Sequence, residues 1–343
     1  MRRRKLGNTE LEVPVVTLGA WAVGGWYWGG ADDSVSIAAI QAAVEAGINA
    51  VDTAPIYGFG RSERVLADAL RGREDVVWMT KCGLRWDDPE ARGEPFFEDE
   101  LLDSRGRGTG RKVKVFRNSR PDSIKLECER SLERLRLERI DLYQVHWHDG
   151  TTPVEETMGA LLDLRVEGKI GEIGVSNYWP ETLEQATAAL GDVPLASNQP
   201  RYNLVHRHSE QDVLPWALEH GIGTLAYSPL EQGILTGEVR PDRVFATDDR
   251  RPSRASFRPE NLAAINGVLD TVVAPIAEAH SATLGQVALA WTIDQPGVTT
   301  VLAGARTEQQ AIENAGAGAL ELSAEERATI RAAFEALELD LTE

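Results

Sequence analysis

The chain has 343 residues, of which 54 are acidic and 36 basic, so its formal net charge at pH 7 is −18. Outside the short basic start MRRRK, no cluster of lysine and arginine is long enough to follow a phosphate backbone, which argues against a nucleic-acid partner. Its two cysteines, Cys82 and Cys128, lack CxxC or metal-ligand spacing, which predicts reduced thiols. The start is charged without an apolar stretch of secretory length, and no run of about 18 apolar residues occurs, so we expect a cytoplasmic protein without a membrane partner.

The first predicted element is a β-hairpin in RKLGNTELEVP, turned at Asn8 and Thr9. Short apolar segments rich in β-branched residues then alternate with stretches of helical periodicity along nearly the whole chain, which is the pattern of repeated βα units. Strands are predicted at residues 15–20, 48–53, 76–81, 140–146, 170–176, 194–199, 222–228 and 298–304. After the last strand, SAEERATIRAAFEAL starts with a capping box and predicts an additional helix.

Parallel strands of this number, each followed by a helix, close most simply into a (β/α)8 TIM barrel. The absence of GxGxxG after the first strand makes an open dinucleotide-binding sheet less favoured. We therefore predict an α/β fold with one barrel domain over residues 1–343, the N-terminal hairpin on the barrel floor and the extra C-terminal helix outside. Two connections, about 84–120 and 229–257, are unusually long, and each is either a solvated excursion or a substrate lid.

Polar residues end most of the predicted strands, and in such a barrel the carboxyl ends of the strands face the active site. They are Asp52, Lys81, His146, Ser176 with Asn177, Gln199, and Tyr227 with Ser228, and Tyr57 lies in the loop after Asp52. For each of them alone, a structural role is the more common explanation. Together they would form a costly cluster of buried polar groups unless they served catalysis.

A set of acid, phenol, ammonium and imidazole is suited to proton donation by the phenol. A free tyrosine has a pKa of about 10, and we expect the ammonium of Lys81 to lower the pKa of Tyr57. Asp52 would hold the amine, while His146 would orient a substrate oxygen. The natural proton acceptor is a carbonyl group.

Four motifs, VDTAPIYGFGRSE, TKCG, DLYQVHWHD and GKIGEIGVSN, resemble those of the aldo-keto reductase superfamily. The resemblance covers the full chain. Within the superfamily, the chain is similar to the branch that contains bacterial general-stress and inositol-operon enzymes and the potassium-channel β-subunits. It implies NAD(P)H-dependent reduction of an aldehyde, ketone or keto-sugar, or the reverse. It also implies a catalytic tetrad of Asp52, Tyr57, Lys81 and His146, with Tyr57 as general acid.

The resemblance further implies a nicotinamide stacked on Tyr227, a carboxamide held by Ser176, Asn177 and Gln199, and a pyrophosphate at SPLEQG. The complete set of predicted cofactor contacts is Trp21, Ser176, Asn177, Gln199, Tyr227, Ser228, Leu230, Gln232, Gly304, Arg306, Gln310, Glu313 and Asn314. Because the planar fork of Arg306 suits a 2′-phosphate, we expect NADPH to be favoured over NADH, which stays possible. Backbone N–H groups at a helix start also suit phosphate.

Five tryptophans, Trp21, Trp26, Trp28, Trp86 and Trp147, lie in loops or strand ends on the predicted active face. They suggest an aromatic-lined pocket for a sugar or an aromatic aldehyde, and Trp21 and Trp147 are the strongest candidates. We expect only a small-molecule carbonyl or alcohol as partner, and a monomer or small homo-oligomer.

Two alternatives to an enzyme of this kind are open. His148 gives HWH where many relatives have proline, and HRH occurs at His206 and His208; such pairs share one face of a strand and can ligate zinc in barrel hydrolases. That interpretation leaves Tyr57, Lys81 and the seventh strand unexplained, so no metal is predicted. The other alternative is a nicotinamide-binding regulatory subunit resembling the potassium-channel β-subunits.

Overall fold

The structure, a computed structural model, describes residues 1–88, 94–103, 106–247 and 249–342. Within this described part, eight parallel strands form a closed barrel in chain order, and the last strand pairs with the first. They are β3 (Val16–Gly19), β4 (Ala50–Asp52), β5 (Val77–Cys82), β9 (Ile140–Val145), β10 (Ile170–Ser176), β11 (Leu195–Gln199), β12 (Gly223–Tyr227) and β13 (Val298–Ala303). The predicted (β/α)8 barrel is confirmed.

The predicted N-terminal hairpin is also confirmed. Strands β1 (Arg3–Lys5) and β2 (Glu12–Pro14) pair antiparallel. Leu6 and Val13 of this hairpin are fully buried against Met79 and Leu142 inside the barrel. Burying these apolar side chains closes the barrel floor, so that the opposite end is left for the site.

Helices surround the barrel and bury one face each against it. In the described residues they are α1 (Asp33–Glu45), α2 (Arg61–Ala69), α3 (Pro121–Leu135), α4 (Val154–Val166), α5 (Pro180–Leu190), α6 (Val213–Glu219), α7 (Pro259–Val268), α8 (Ala274–Ala279), α9 (Leu284–Ile293), α10 (Glu308–Gly316) and α11 (Ala324–Glu335). The capping box of the additional C-terminal helix is present: Ser323 accepts from the Glu326 amide at 3.2 Å, and Glu326 accepts from the Ser323 amide at 2.7 Å.

The helical stretch Pro259–Ala279 is long and apolar enough, by length and composition, to cross a membrane. Such a stretch is also typical of a core helix in a globular protein. Leu262, Ile265, Leu269 and Val273 are all buried in the main hydrophobic core. We therefore assign this stretch to the helical shell of the barrel.

The long connection after β5 forms a small antiparallel sheet in its described part. Its strands are β6 (Leu84–Arg85), β7 (Phe97–Leu102) and β8 (Gly108–Arg117), in the order β6-β8-β7. We call this sheet the insertion. Sequence periodicity did not predict these strands, and residues 89–93 and 104–105 of the connection lie outside the described residues.

The second long connection consists of short helical turns at Glu231–Thr236, Arg251–Ser253 and Ala255–Phe257, with residue 248 outside the described part. It is joined to the insertion by Asp99, which forms an ion pair with Arg250 and accepts a hydrogen bond from Nε1 of Trp26 at 2.8 Å. Both connections therefore pack together over the open end of the barrel. Of the two expectations, this arrangement favours a lid over a solvated excursion.

Candidate active site

A change from apolar to polar side chains occurs at one level inside the barrel. Ala50, Met79, Leu142 and Leu225 belong to one buried cluster that fills the barrel interior. Because side chains alternate across a strand, the residue two positions further on faces the same way. Those next residues are Asp52, Lys81, Gln144 and Tyr227. The strand period thus gathers polar groups at the carboxyl ends of four strands.

Asp52 is the centre of a buried hydrogen-bond network. Its Oδ1 lies 2.5 Å from the ammonium of Lys81, which also donates to the carbonyl of Thr53 at 2.9 Å. Its Oδ2 accepts from the side-chain amides of Gln144 and Gln199, each at 3.0 Å. Gln199 also donates to Oε1 of Gln144 at 3.1 Å. These donors offset the cost of burying the carboxylate.

Tyr57 is held above this network by a tight loop. Gly58 adopts φ +68°, and a Cβ there would lie only 2.3 Å from the carbonyl oxygen of Gly24, so a residue with a side chain cannot occupy the position without movement. The ammonium of Lys81 lies 5.3 Å from the centre of the Tyr57 ring. The ring of His146 packs edge-on against Tyr57, with centres 5.8 Å apart. All four predicted tetrad residues are therefore neighbours.

The electrostatics of the phenol differ from the sequence expectation. Burial raises the pKa of Tyr57 well above its usual value, and the negative charge of Asp52 adds to the rise. Burial lowers the pKa of Lys81, although the adjacent Asp52 opposes this. The expected lowering of the Tyr57 pKa is therefore wrong for this structure, because the phenol is desolvated and the carboxylate of Asp52 lies nearby.

His146 is electrically neutral in this environment. Burial lowers the pKa of His146 well below its usual value, and the nearby charge of Lys81 contributes in the same direction. A neutral imidazole can donate one hydrogen bond and accept another. This state suits contact with a polar, uncharged substrate oxygen.

The predicted nicotinamide contacts lie beside the tetrad and are connected to one another. The hydroxyl of Tyr227 donates to Oδ1 of Asn177 at 3.1 Å, and Nδ2 of Asn177 lies 3.0 Å from Oγ of Ser176. Asn177 also donates to the carbonyl of His146 at 3.2 Å, and Ser176 donates to the carbonyl of Gln199 at 2.8 Å. These contacts link strands β9, β10, β11 and β12 at one rim.

The turn after β12 has an unusual backbone. Ser228, Glu231 and Gln232 adopt positive φ angles of 53°, 45° and 53°, a conformation that L-residues rarely occupy and that clusters at ligand sites. Glu231 is completely buried and binds Arg201 at 2.5 Å and Nδ2 of Asn203 at 2.7 Å. Burial alone would raise the pKa of Glu231, but Arg201 and other donors lower it to about 2. The turn is thus anchored firmly, while Leu230 packs on the core.

Two of the predicted cofactor contacts carry a buried polar atom that has no hydrogen-bond partner among the described residues. These atoms are Nε1 of Trp21 and Oε1 of Gln232. Buried polar atoms in folded proteins are nearly always paired, so these two atoms are available to hydrogen-bond a polar ligand. The residues present therefore fit a polar group such as a nicotinamide nucleotide.

The remaining predicted contacts lie after β13. Arg306 is exposed and donates to the carbonyl of Gly30 at 3.0 Å, while its backbone amide donates to Oε1 of Gln310 at 2.8 Å. Asn314 donates to the carbonyl of Gly304 at 3.0 Å. Glu313 instead accepts from Oγ1 of Thr283 on the neighbouring helix start at 2.6 Å.

Aromatic side chains surround Tyr57 on the other side. The Trp21 ring lies 6.2 Å from the Tyr57 ring and 5.4 Å from the Trp28 ring. Trp26 stacks on Phe97 at 5.4 Å. Trp86 packs edge-on against Phe59 at 5.3 Å, and Trp147 lies 5.5 Å from Phe96. All five predicted tryptophans thus lie around the open end of the barrel.

The histidine pairs do not converge. The ring of His146 contacts Tyr57, whereas that of His148 contacts Tyr178. His206 faces Glu231 at 3.4 Å, and His208 packs on Trp179. In the part of the chain that the structure describes, no three histidine, cysteine or acidic side chains are placed to share a metal ion. The geometry gives the metal hydrolase alternative no support.

Sequence reasoning missed Gln144, Phe59, Phe97 and Arg117 as residues of this region. A signal existed for Gln144, since an amide in the strand segment IDLYQV lies two residues before His146 and must share its face. Phe97 and Arg117 belong to the insertion, where only the short alternating stretch KVKV indicates a strand. Their approach to the site depends on tertiary packing.

Comparison with known proteins adds to this geometry. A model described as the Aldo/keto reductase family matches residues 15–335. The protein named Aldo-keto reductase YhdN of Bacillus subtilis (strain 168) is 36% identical over 317 residues, covering 90% of this chain and 86% of that protein. The NADH-specific methylglyoxal reductase of Escherichia coli (strain K12) is 34% identical over 345 residues, covering 98% and 100%.

Solved structures agree with the fold. The structure of the glycerol dehydrogenase AKR11B4 from Gluconobacter oxydans has a TM-score of 0.84 and 35% identity. The match covers 99% of this chain and 98% of that one. The similarity therefore extends over the barrel, the insertion and both termini.

Proposed function

The chain belongs to the aldo/keto reductase family and is an NAD(P)H-dependent oxidoreductase of carbonyl compounds, and from this premise we propose that Tyr57 is its general acid. The proposed reaction reduces an aldehyde, ketone or keto-sugar to the alcohol, or runs in reverse. The observation that supports this most directly is the buried Lys81–Asp52 pair beneath Tyr57, with His146 against the same phenol.

In this proposal, a bound nicotinamide nucleotide supplies the hydride for reduction or accepts it in the reverse reaction. Tyr57 donates its proton to the substrate oxygen as negative charge develops there. Its raised pKa keeps the phenol protonated until that oxygen becomes the stronger base. Lys81 then stabilises the phenolate, and neutral His146 donates a hydrogen bond that orients the oxygen.

Asp52, Gln144 and Gln199 act in this proposal by holding Lys81 in place. Without the carboxylate, the ammonium would be an uncompensated buried charge. Both N–H donors of the Gln199 amide are engaged by Asp52 and Gln144. We therefore expect Gln199 to contact a carboxamide through its oxygen alone, with Ser176 and Asn177 providing the other contacts.

We propose that Tyr227 lies under the nicotinamide ring and that Trp21, Ser228, Leu230 and Gln232 bind around the ring and pyrophosphate. The adenosine end would contact Gly304, Arg306, Gln310, Glu313 and Asn314. Oε1 of Glu313 already accepts from Thr283, so its cofactor contact would use the remaining acceptor positions of the carboxylate.

NADPH is the proposed preferred cofactor. Although the Arg306 side chain reaches solvent, partial desolvation lowers its pKa, as do the positive charges of Arg251 and Arg243, while Asp249 opposes this change. A concentration of guanidinium groups suits a 2′-phosphate with its two negative charges. The methylglyoxal-reducing relative is named NADH-specific, so both cofactors belong in the test.

The tryptophans around Tyr57 support an aromatic-lined substrate pocket, for which Trp21 and Trp147 are the proposed contacts. We place the protein in the cytoplasm, as one domain acting as a monomer or small homo-oligomer with small-molecule partners.

A cofactor-consumption screen tests the function. Aldehydes, ketones and keto-sugars would be mixed with the purified protein and NADPH or NADH, and absorbance of the reduced cofactor followed. We expect turnover of at least one carbonyl class. Tight cofactor binding without turnover of any would instead favour the regulatory-subunit alternative.

A further inference from the structure

Arg117 interrupts an otherwise apolar row that faces the site. Along β8, side chains of residues 113, 115 and 117 lie on one face because they alternate with residues 112, 114 and 116. Val113 and Val115 are buried in the apolar cluster against which Tyr57 and Trp147 pack. Arg117 pairs in register with Leu84, another member of that cluster. The row thus directs Arg117 toward the same side as Tyr57.

The guanidinium of Arg117 packs against two neighbouring aromatic rings. Its central carbon is 4.0 Å from the centre of the Phe96 ring and 4.8 Å from that of Trp147. Trp147 directly follows His146 in the chain. The positive charge is therefore held by stacking one residue away from the proposed catalytic histidine.

Arg117 has no anionic partner in the described part of the chain. Its Nε is buried without a hydrogen bond. Burial lowers the pKa of Arg117, and no neighbouring carboxylate opposes that change. The carboxylate on the same face of the insertion, Asp99, is occupied by Arg250 and Trp26. The guanidinium is therefore stacked on aromatic rings but not neutralised by a carboxylate among the described residues, which leaves it able to bind an anion.

We propose that Arg117 is an anion subsite of the substrate pocket, and that the enzyme prefers carbonyl substrates carrying a carboxylate. This inference rests on the proposed function, because it places the anion of a substrate whose carbonyl lies at Tyr57 and His146. The planar guanidinium binds a carboxylate through two parallel N–H donors. A neutral substituent accepts these two hydrogen bonds less strongly. Phe96 and Trp147 hold the fork in place and would flank the substrate.

Matched substrates test the subsite. The protein would be assayed with 4-carboxybenzaldehyde and with its neutral methyl ester, which differ in charge but share the reacting aldehyde. We expect kcat/KM in the parent to favour the carboxylate by about 10- to 100-fold. Arg117→Met should abolish that preference by lowering kcat/KM for the carboxylate far more than for the ester, and Arg117→Lys should retain part of it.

The control is Lys114→Met, which removes a positive charge from the opposite face of the same strand. Lys114 is exposed and pairs with Glu98 at 3.4 Å, so its loss should not alter the substrate preference. A parent enzyme without preference for the carboxylate would overturn the inference. Equal loss on both substrates in Arg117→Met would also overturn it, because a purely structural role predicts that result.

A binding measurement separates failure of this inference from failure of the proposed function. Calorimetric titration with terephthalate, an unreactive dicarboxylate, would compare the parent with Arg117→Met in the presence of oxidised cofactor. If no aldehyde is turned over, the proposed function fails. Terephthalate binding that weakens about 10-fold or more in Arg117→Met would still support the subsite, and unchanged binding would refute it.

Discussion

The ammonium of Lys81 lies 2.5 Å from Oδ1 of Asp52, and the two side chains are 0% and 3% exposed. Neither charge can be stabilised by water at that depth, so each depends on the other. The pair also lies directly below Tyr57, which makes it a determinant of both stability and chemistry.

Removing one member of the pair should destabilise the fold. Lys81→Met leaves Asp52 buried without its cation, and we expect a loss of about 3 to 5 kcal/mol in the free energy of unfolding together with nearly complete loss of activity. The double variant Lys81→Met/Asp52→Asn removes both charges and should recover much of the stability but none of the activity. Denaturant titration measures both, and a single variant as stable as the parent would contradict the interdependence.

Loss of the Tyr57 hydroxyl should remove proton donation. We expect Tyr57→Phe to reduce carbonyl turnover by about 10² to 10⁴-fold at saturating NADPH, with cofactor affinity little changed. Tyr178→Phe is the matched control, because the Tyr178 hydroxyl is buried without a partner among the described residues. Near-parental hydride transfer in Tyr57→Phe would exclude Tyr57 as the general acid.

Gln144 should act by positioning Lys81 through Asp52. In Gln144→Leu, Asp52 keeps one amide donor instead of two and Gln199 loses an acceptor, so we expect a loss of about 1 to 3 kcal/mol in the free energy of unfolding. We also expect kcat to fall while KM for the cofactor stays constant. Gln41→Leu, at an exposed helix position, is the control for replacing a glutamine by leucine. If Gln144→Leu changed only the KM for the cofactor, this result would argue against a role of Gln144 in positioning Lys81.

Arg306 should determine the preference between cofactors. A guanidinium on the 2′-phosphate contributes about 1.5 to 3 kcal/mol, so Arg306→Ala should weaken NADPH binding by about 10- to 100-fold and affect NADH little. Calorimetric titration with both nucleotides measures this. Arg71→Ala, an exposed arginine of the same charge, should change neither affinity. Equal affinities in the parent would remove Arg306 from this role.

Glu127 should make the stability depend on pH. Burial raises the pKa of Glu127 to about 7 from its usual 4.5, although Arg85 opposes the rise. Between these two pH values, the Glu127 carboxyl therefore stays protonated in the folded protein but is ionised in the unfolded chain. The contribution of Glu127 to the free energy of unfolding is fully present below pH 4.5. It is lost as the pH rises to about 7, and the loss is on the order of 3 kcal/mol.

The variant Glu127→Gln tests that assignment. It keeps an acceptor for the Gly83 amide, which Glu127 now binds at 3.0 Å, but cannot ionise. We expect its unfolding free energy to vary less between pH about 5 and about 8 than that of the parent. It should also be the more stable protein at the higher pH. Parallel pH profiles of parent and variant would contradict the prediction.

The order of strands and helices could be predicted from sequence because it depends on local patterns. Each barrel strand is a short β-branched segment whose apolar residues face both the helices and the interior. The predicted ends of each strand lie within two residues of the observed ends. The polar residues that end those strands could be assigned to one rim, since parallel strands bring their carboxyl ends together.

Properties that depend on distance and burial could not be predicted in this way. The pKa of Tyr57 rises because the phenol is desolvated and the negative charge of Asp52 lies nearby, which no spacing in the sequence expresses. The strands of the insertion were not predicted, because charged residues and glycines dominate this connection and only KVKV in β8 alternates between polar and apolar residues. Sequence by itself thus determined the barrel and the identity of the rim residues, because these follow from local periodicity. Tertiary structure alone decided the protonation energetics of Tyr57 and the approach of Arg117, because both arise from groups that are distant in the chain and brought into contact only by folding.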